Sequence, residues 1–283
     1  MPRYRLLGVF AHPDDETFGP GGTLALYARR GVATHVVCAT RGEAGEAHSD
    51  LRGYESKAAM REAELHCASR ILGLTSVSYL GYRDSGMPNS PDNRHPQATI
   101  NAPILEVARK IARHIRDGRP QVVITFDPIG GYRHPDHIAV HRATVEAFHI
   151  AGDRNVEFDG LAPYAPQKLY YHTFPRRWLR FGVTLLRLFG QDPRRFGKNK
   201  DVDLLPLAEV NFPIHTTINI RAVAHLKQQA FACHASQGGG MPRGPATLMM
   251  RLIANKEHFM RAIPDGKQQK METDLFAGVV GSI

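Results

Sequence analysis

Cysteine is scarce. Cys38, Cys67 and Cys233 are the only three among 283 residues, an odd number with no CxxC pair. This excludes a disulfide-dense secreted scaffold and a thiolate metal cluster. Each lies in an apolar or helical pattern, which predicts buried structural thiols in a reducing cytoplasm. Long apolar runs are lacking too. Six apolar residues precede His12, too few for a signal-peptide core, and no stretch approaches the roughly 18 needed to span a membrane. Internal repeats and low-complexity segments are missing, and 42% hydrophobic with 22% charged residues is the composition of an ordinary globular chain. The length suits a single α/β domain over residues 1–283.

Acid is in short supply in one place. The net charge is +9, yet residues 175–200 contain eight cations, Arg176, Arg177, Arg180, Arg187, Arg194, Arg195, Lys198 and Lys200, against the one acid Asp192. That segment carries +7 and leaves only +2 for the rest. The basic character therefore describes an insertion at about 175–205, not a nucleic-acid-binding fold, and no nucleic-acid partner is expected. Its aromatic and aliphatic residues, Trp178 to Phe189, fall on no single helical stripe. They suit packing over a site or between subunits better than binding to an anionic membrane surface. A homo-oligomer is compatible with the sequence, which does not fix the oligomeric state.

What is present alternates. Strand patterns at Tyr4–Phe10, Thr34–Ala39, Val77–Leu80 and Gln121–Phe126 are separated by helical patterns near 21–30, 53–72 and 102–117. Such alternation predicts a Rossmann-like, mostly parallel, doubly wound sheet with flanking helices. A helix after Pro135, a strand at Lys168–Thr173, a strand at Thr216–Ile220 and helices near 222–235 and 246–255 extend it towards the C-terminus, where the pattern from Phe259 onward is ambiguous.

The chemistry gathers at predicted strand ends. His12-Pro13-Asp14-Asp15-Glu16 follows the first strand, and His134-Pro135-Asp136-His137 follows the fourth. In open α/β sheets ligands bind at those carboxyl ends. His12, Asp15 and His137 would supply two imidazoles and a carboxylate to one zinc ion, with a position left for water. Asp14, beside a ligand, stands where a general base is needed. His134 and His137 share a helix face, which leaves His134 free to hold a proton. Asp136 could fix or tune either imidazole, and Tyr132 and Arg133 could donate to an oxyanion. Gly19-Pro20-Gly21-Gly22 is not a GxGxxG phosphate loop and reads as a helix entry.

At these residues the chain resembles the LmbE-like or PIG-L-type zinc-dependent N-acetylglucosaminyl deacetylases. The resemblance rests on Ala11–Glu16 and on Tyr132–His137. It is supported by Thr40-Arg41-Gly42-Glu43, Arg61-Glu62-Ala63-Glu64 and Gly81–Met87, and covers most of residues 5–150. It implies zinc on His12, Asp15 and His137, with Asp14 as base. It also implies a protonated His134 acting on the intermediate and leaving amine, Asp136 tuning His134, and Tyr132 at the oxyanion. Arg61 and Asp84 would then contact sugar hydroxyls, and His234 and Gln237 approach the substrate. The expected activity is removal of an N-acetyl group from an N-acetylglucosamine-type sugar or conjugate by metal-activated water. A two-metal phosphoesterase, or a basic binding protein with a structural metal, are the alternatives. Glu16 has no task in this reading.

Overall fold

Leu6, Leu7, Val9 and Phe10 are all buried, as a central strand covered on both faces requires. This strand, β1 (Arg5–Phe10), pairs in parallel with β2 (Ala33–Thr40) on one side and with β4 (Val122–Phe126) on the other. The computed structural model describes residues 4–45, 51, 53–195, 202–239, 255–265 and 271–280. Adding β3 (Ser76–Tyr82), β5 (Lys168–Thr173), β6 (Thr216–Asn219) and β7 (Lys256–Ile263) gives a seven-stranded sheet ordered β3-β2-β1-β4-β5-β7-β6. The first five strands run parallel, whereas β7 is antiparallel to both β5 and β6. β7 occupies the region where the sequence pattern is ambiguous. Its alternating burial shows only once β5 and β6 flank it.

Two cores line the sheet. On one face α2 (Gly21–Arg29), α3 (Lys57–Leu72) and α9 (Ala224–Cys233) cover Leu6, Phe10, Val36 and Ile124. On the other, α4 (Ile104–Gly118) and α6 (Pro135–Gly152) cover Leu7, Val9, Val37 and Val123. The alternation of these two sets along each strand is the pleat itself. Helix ends obey local chemistry. The Ser56 side chain caps α3 by accepting from the Ala59 N–H at 3.1 Å, so the helix starts later than the sequence pattern suggests, and Gly73 ends it in a left-handed conformation.

The expectation for cysteine is corrected. Cys67 of α3 and Cys233 at the end of α9 form a disulfide, and Cys38 alone remains a buried thiol. The two partners are 166 residues apart in sequence, so no local spacing could have shown the pairing.

The basic insertion forms α7 (Arg176–Leu188), which packs Val183, Leu179 and Leu186 against α8 (Leu204–Glu209) in a small separate core. Arg176 is buried against Asp127, with Nη2 to Oδ2 at 3.1 Å, tying the insertion to the loop after β4. Phe181, Leu188 and Phe189 remain exposed. No helix of the described residues is long and apolar enough to cross a membrane. The helix expected near 246–255 lies outside the described residues, apart from Asn255.

Candidate metal centre and active site

Both histidine clusters sit where β1 and β4 end, side by side in the middle of the sheet. Strand order reverses there, which is the crevice of a doubly wound fold. Past β1 the chain turns sharply into α1 (Asp15–Phe18), and the Asp15 carboxylate accepts the His12 backbone N–H at 2.7 Å. Past β4 it makes the short kinked helix α5 (Gly130–Arg133) and then α6. Gly130 has φ 65°, and a Cβ there would stand 2.7 Å from the His137 Cβ, so the loop lies directly on α6 only because it has glycine at this point. His134 caps α6: its Nδ1 accepts the Asp136 N–H at 3.2 Å, with Pro135 as the first helical residue.

The structure brings His12, Asp15 and His137 together. His12 Nδ1 is 3.2 Å from His137 Nε2 and 3.6 Å from Asp15 Oδ2, and His137 Nε2 is 3.2 Å from Asp15 Oδ1. Ligand atoms bonded to a four-coordinate zinc at its usual lengths are spaced about 3.3–3.6 Å apart. The three side chains approach that spacing, each imidazole meeting a different Asp15 oxygen, and their types are the nitrogen and carboxylate ligands zinc prefers. The His137 ring is held by stacking on Phe126, with centroids 4.0 Å apart.

The far side of the His12 ring is equally specified. Its Nε2 is 3.1 Å from Asp136 Oδ2 and 3.3 Å from Asp84 Oδ1, the carboxylate support that orients a metal-bound imidazole. Here two expectations change. The Asp136 carboxylate faces His12 and accepts from the Ser85 N–H at 2.8 Å and from the Ser85 hydroxyl, while it is the Asp136 backbone that meets His134. Asp84, expected to bind sugar, is buried against His12, with its Oδ1 also accepting the Gly86 N–H at 2.8 Å. Two close donor groups thus surround the same ring, one of His12, His134 and His137 and one of His12, His134, Asp84 and Asp136.

Electrostatics follow from this crowding. Burial opposes charge on His12, but Asp84, Asp136 and Asp15 together raise its pKa well above the ordinary value. Burial likewise opposes ionisation of Asp15, yet His137 and His12 hold its carboxyl well below the usual range. His134 goes the other way: burial, then repulsion from His12 and His137, depress its pKa well below normal. Its Nδ1 accepts a backbone hydrogen bond, which leaves the proton on Nε2. Asp14, Asp15, Asp84 and Asp136 converge here against the Arg61 guanidinium and the His12 imidazole, and this gathering of carboxylates suits a cation at the His12–Asp15–His137 corner.

Asp14 has φ 135°, a region that side-chain-bearing residues rarely occupy. Burial pushes its carboxyl up to about 6, although the Arg61 cation pulls it down. Arg61 is only 3% exposed. It donates to Pro13 O at 2.8 Å, Gly42 O at 3.0 Å and Asp14 Oδ2 at 3.1 Å, so its guanidinium, expected on the sugar, lies beneath Asp14. Tyr132 is 40% exposed at the rim, its ring edge-on to both His134 and His137, with centroids 5.9 and 4.9 Å away. His234 is fully buried against Glu16, so it does not approach the substrate. Asp127, which holds the Gly131 N–H and Arg176, is a neighbour of the site that the sequence pattern did not single out, and Ser85 and Glu16 lie in the sequence motifs without a task until the structure sets them against Asp136 and His234.

The family model described as PIG-L, GlcNAc-PI de-N-acetylase, matches residues 7–148. A Geodermatophilus obscurus protein is 35% identical over 299 residues, covering 99% of both chains. An Acidothermus cellulolyticus protein is 38% identical over 292 residues, covering 97% of this chain and 94% of its own. Each of these relatives is named a 1D-myo-inositol 2-acetamido-2-deoxy-alpha-D-glucopyranoside deacetylase. Among solved structures, GalB, the 4-carboxy-2-hydroxymuconate hydratase of Pseudomonas putida KT2440, superimposes with a TM-score of 0.61 at 22% identity, covering 94% of this chain and 99% of its own. The same fold thus carries hydration chemistry, and the fold alone does not specify deacetylation.

Proposed function

The chain belongs to the PIG-L family and is a hydrolytic N-deacetylase, and from that premise we propose that it is zinc-dependent and removes the acetyl group from N-acetylglucosaminyl-inositol. The observation that carries the metal reading is the His12–Asp15–His137 corner, whose donor atoms are spaced for zinc beside an aspartate of raised pKa. The sugar-inositol assignment rests on relatives that match along nearly the whole chain.

His12 Nδ1, Asp15 and His137 Nε2 would hold the ion, with Asp136 and Asp84 fixing the His12 ring from behind. When bound, zinc polarises the amide carbonyl and lowers the pKa of water to about 7. Asp14 takes the proton from the attacking water. With a pKa near 6 it also returns that proton to the leaving amine, which releases acetate and the free amino sugar. His134, whose Nδ1 is engaged by the Asp136 N–H, presents its Nε2–H to the oxyanion of the tetrahedral intermediate. Tyr132, at the rim beside His134 and His137, helps to hold the oxyanion.

The test is amine release from synthetic N-acetylglucosaminyl-inositol by chelator-treated protein, with and without added zinc. Turnover restored by one zinc per chain supports the reading. Equal turnover in chelator and in zinc would remove the metal dependence, and no release from this conjugate, with release from another N-acetylglucosaminide, would replace the substrate.

A further inference from the structure

Glu16 lies next to a proposed zinc ligand and belongs to neither the zinc corner nor the proton path. It is fully buried, and so is His234, 218 residues away. One Glu16 oxygen accepts the Asp14 backbone N–H at 2.9 Å; the other accepts from His234 Nε2 at 2.9 Å and from the Thr17 hydroxyl. The next peptide group is held as well, since Asp14 O accepts the Thr17 and Phe18 N–H groups at 2.9 and 2.8 Å. Asp14 is therefore gripped on both sides in a backbone conformation that costs free energy and persists only where its surroundings over-determine it.

His234 is itself anchored to α3 from two directions. The residue before it, Cys233, is bonded to Cys67, and Ser236 donates its N–H and hydroxyl to Glu64 at 2.8 and 2.6 Å. The C-terminal end of α9 thus presents one imidazole to the underside of the first motif.

We propose that Glu16 and His234 are positioning residues: through the Glu16 carboxylate they lock the Asp14 peptide in its left-handed conformation, which aims the Asp14 carboxylate at the reacting water. This rests on Asp14 being the base. Neither residue reaches the substrate. If the clamp opened, Asp14 would relax towards an ordinary backbone region and its side chain would swing away, a displacement of the size that costs about 100-fold in rate. Glutamine at position 16 keeps an acceptor for the Asp14 amide, whereas alanine keeps none.

The experiment compares zinc-loaded Glu16→Ala, Glu16→Gln and wild-type protein on N-acetylglucosaminyl-inositol, alone and in the Asp14→Ala background. Glu16→Ala is expected to lower kcat by about 100-fold with KM and zinc content unchanged. Glu16→Gln should recover most of that loss, and Glu16→Ala should add nothing once Asp14 is alanine. In metal-free protein, amide exchange at Asp14 should accelerate in Glu16→Ala and not in Glu16→Gln. Wild-type kcat in Glu16→Ala, or the same loss in both backgrounds, overturns the clamp. Wild-type turnover in Asp14→Ala alone overturns the base assignment instead. Should Glu16→Ala fail to fold, His234→Ala and His234→Gln take its place, with a kcat loss in the first and recovery in the second; full kcat in His234→Ala overturns the proposal.

Discussion

His12 Nδ1 and His137 Nε2 face each other at 3.2 Å, although 125 residues separate them in the chain. Two imidazole nitrogens and the Asp15 carboxylate converging at one point leave lone pairs that a cation satisfies better than any hydrogen-bond pattern among themselves. Chelation should therefore destabilise the protein. Zinc at about 1,000 times its dissociation constant adds about 4 kcal/mol to the folded state, so Tm should fall on treatment with chelator and return on adding zinc. His137→Ala should bind less than one zinc per chain by elemental analysis and show no such rise.

Asp14→Asn keeps the fold and the ion and removes the proton acceptor. Turnover should fall by about 10²–10⁴-fold, with zinc content near one per chain. In the wild type the acid limb of kcat/KM should lie near pH 6, because the carboxyl pushed up to about 6 is protonated, and useless as a base, below that value.

Arg61→Gln should move that limb to higher pH. The Arg61 cation lowers the Asp14 pKa, so its loss lets burial raise it further. Gly42→Ala tests the same contact from the other side: φ at residue 42 is 75°, and a Cβ would stand 2.1 Å from Arg61 Nη1. A loss of about 1–3 kcal/mol in urea unfolding is expected.

Glu257 accepts from the Gly22 and Thr23 N–H groups at 2.9 and 2.7 Å and from Lys227 at 2.6 Å, joining β7 to the start of α2. Burial opposes its charge, but Lys227 and Thr23 lower its pKa overall. A depressed carboxyl stabilises the fold above its unfolded value of about 4.3 and ceases to do so as pH falls through the folded value. The Tm difference between wild type and Glu257→Gln should therefore be widest near pH 7 and narrow on acidification.

Thiol titration in denaturant should find one free cysteine, Cys38, without reductant and three after reduction. Cys67→Ser should cost about 2–4 kcal/mol of stability. Three reactive thiols in unreduced, denatured protein would show that the Cys67–Cys233 bond does not form.

Most of the parallel sheet was legible because buried strands and amphipathic helices leave period-two and helical patterns in consecutive residues. The strand at Lys168–Thr173 matches to the residue. β7 was not legible, since its neighbours β5 and β6 come from elsewhere in the chain and its own run mixes Lys256, Glu257, His258 and Arg261 with apolar residues. The insertion was harder still: α7 runs through Gly182, and its two apolar faces separate only when α8 covers one of them.

The sequence by itself determined that His12, Asp15 and His137 are donors of the right kind at two strand ends, that Asp14 adjoins them, and that the chain resembles the deacetylases. Local patterns carry that information because ligand chemistry and strand endings are written in neighbouring residues. Only the tertiary structure decided that Asp136 turns to His12 and that Arg61 lies under Asp14. It also decided that the pKa of His134 is depressed, that Cys67 pairs with Cys233, and that Glu16 meets His234. Those outcomes depend on burial and on contacts between residues 47 to 218 positions apart in all but one case. The exception, His134, has its pKa lowered first by burial and then by the two imidazoles packed around it.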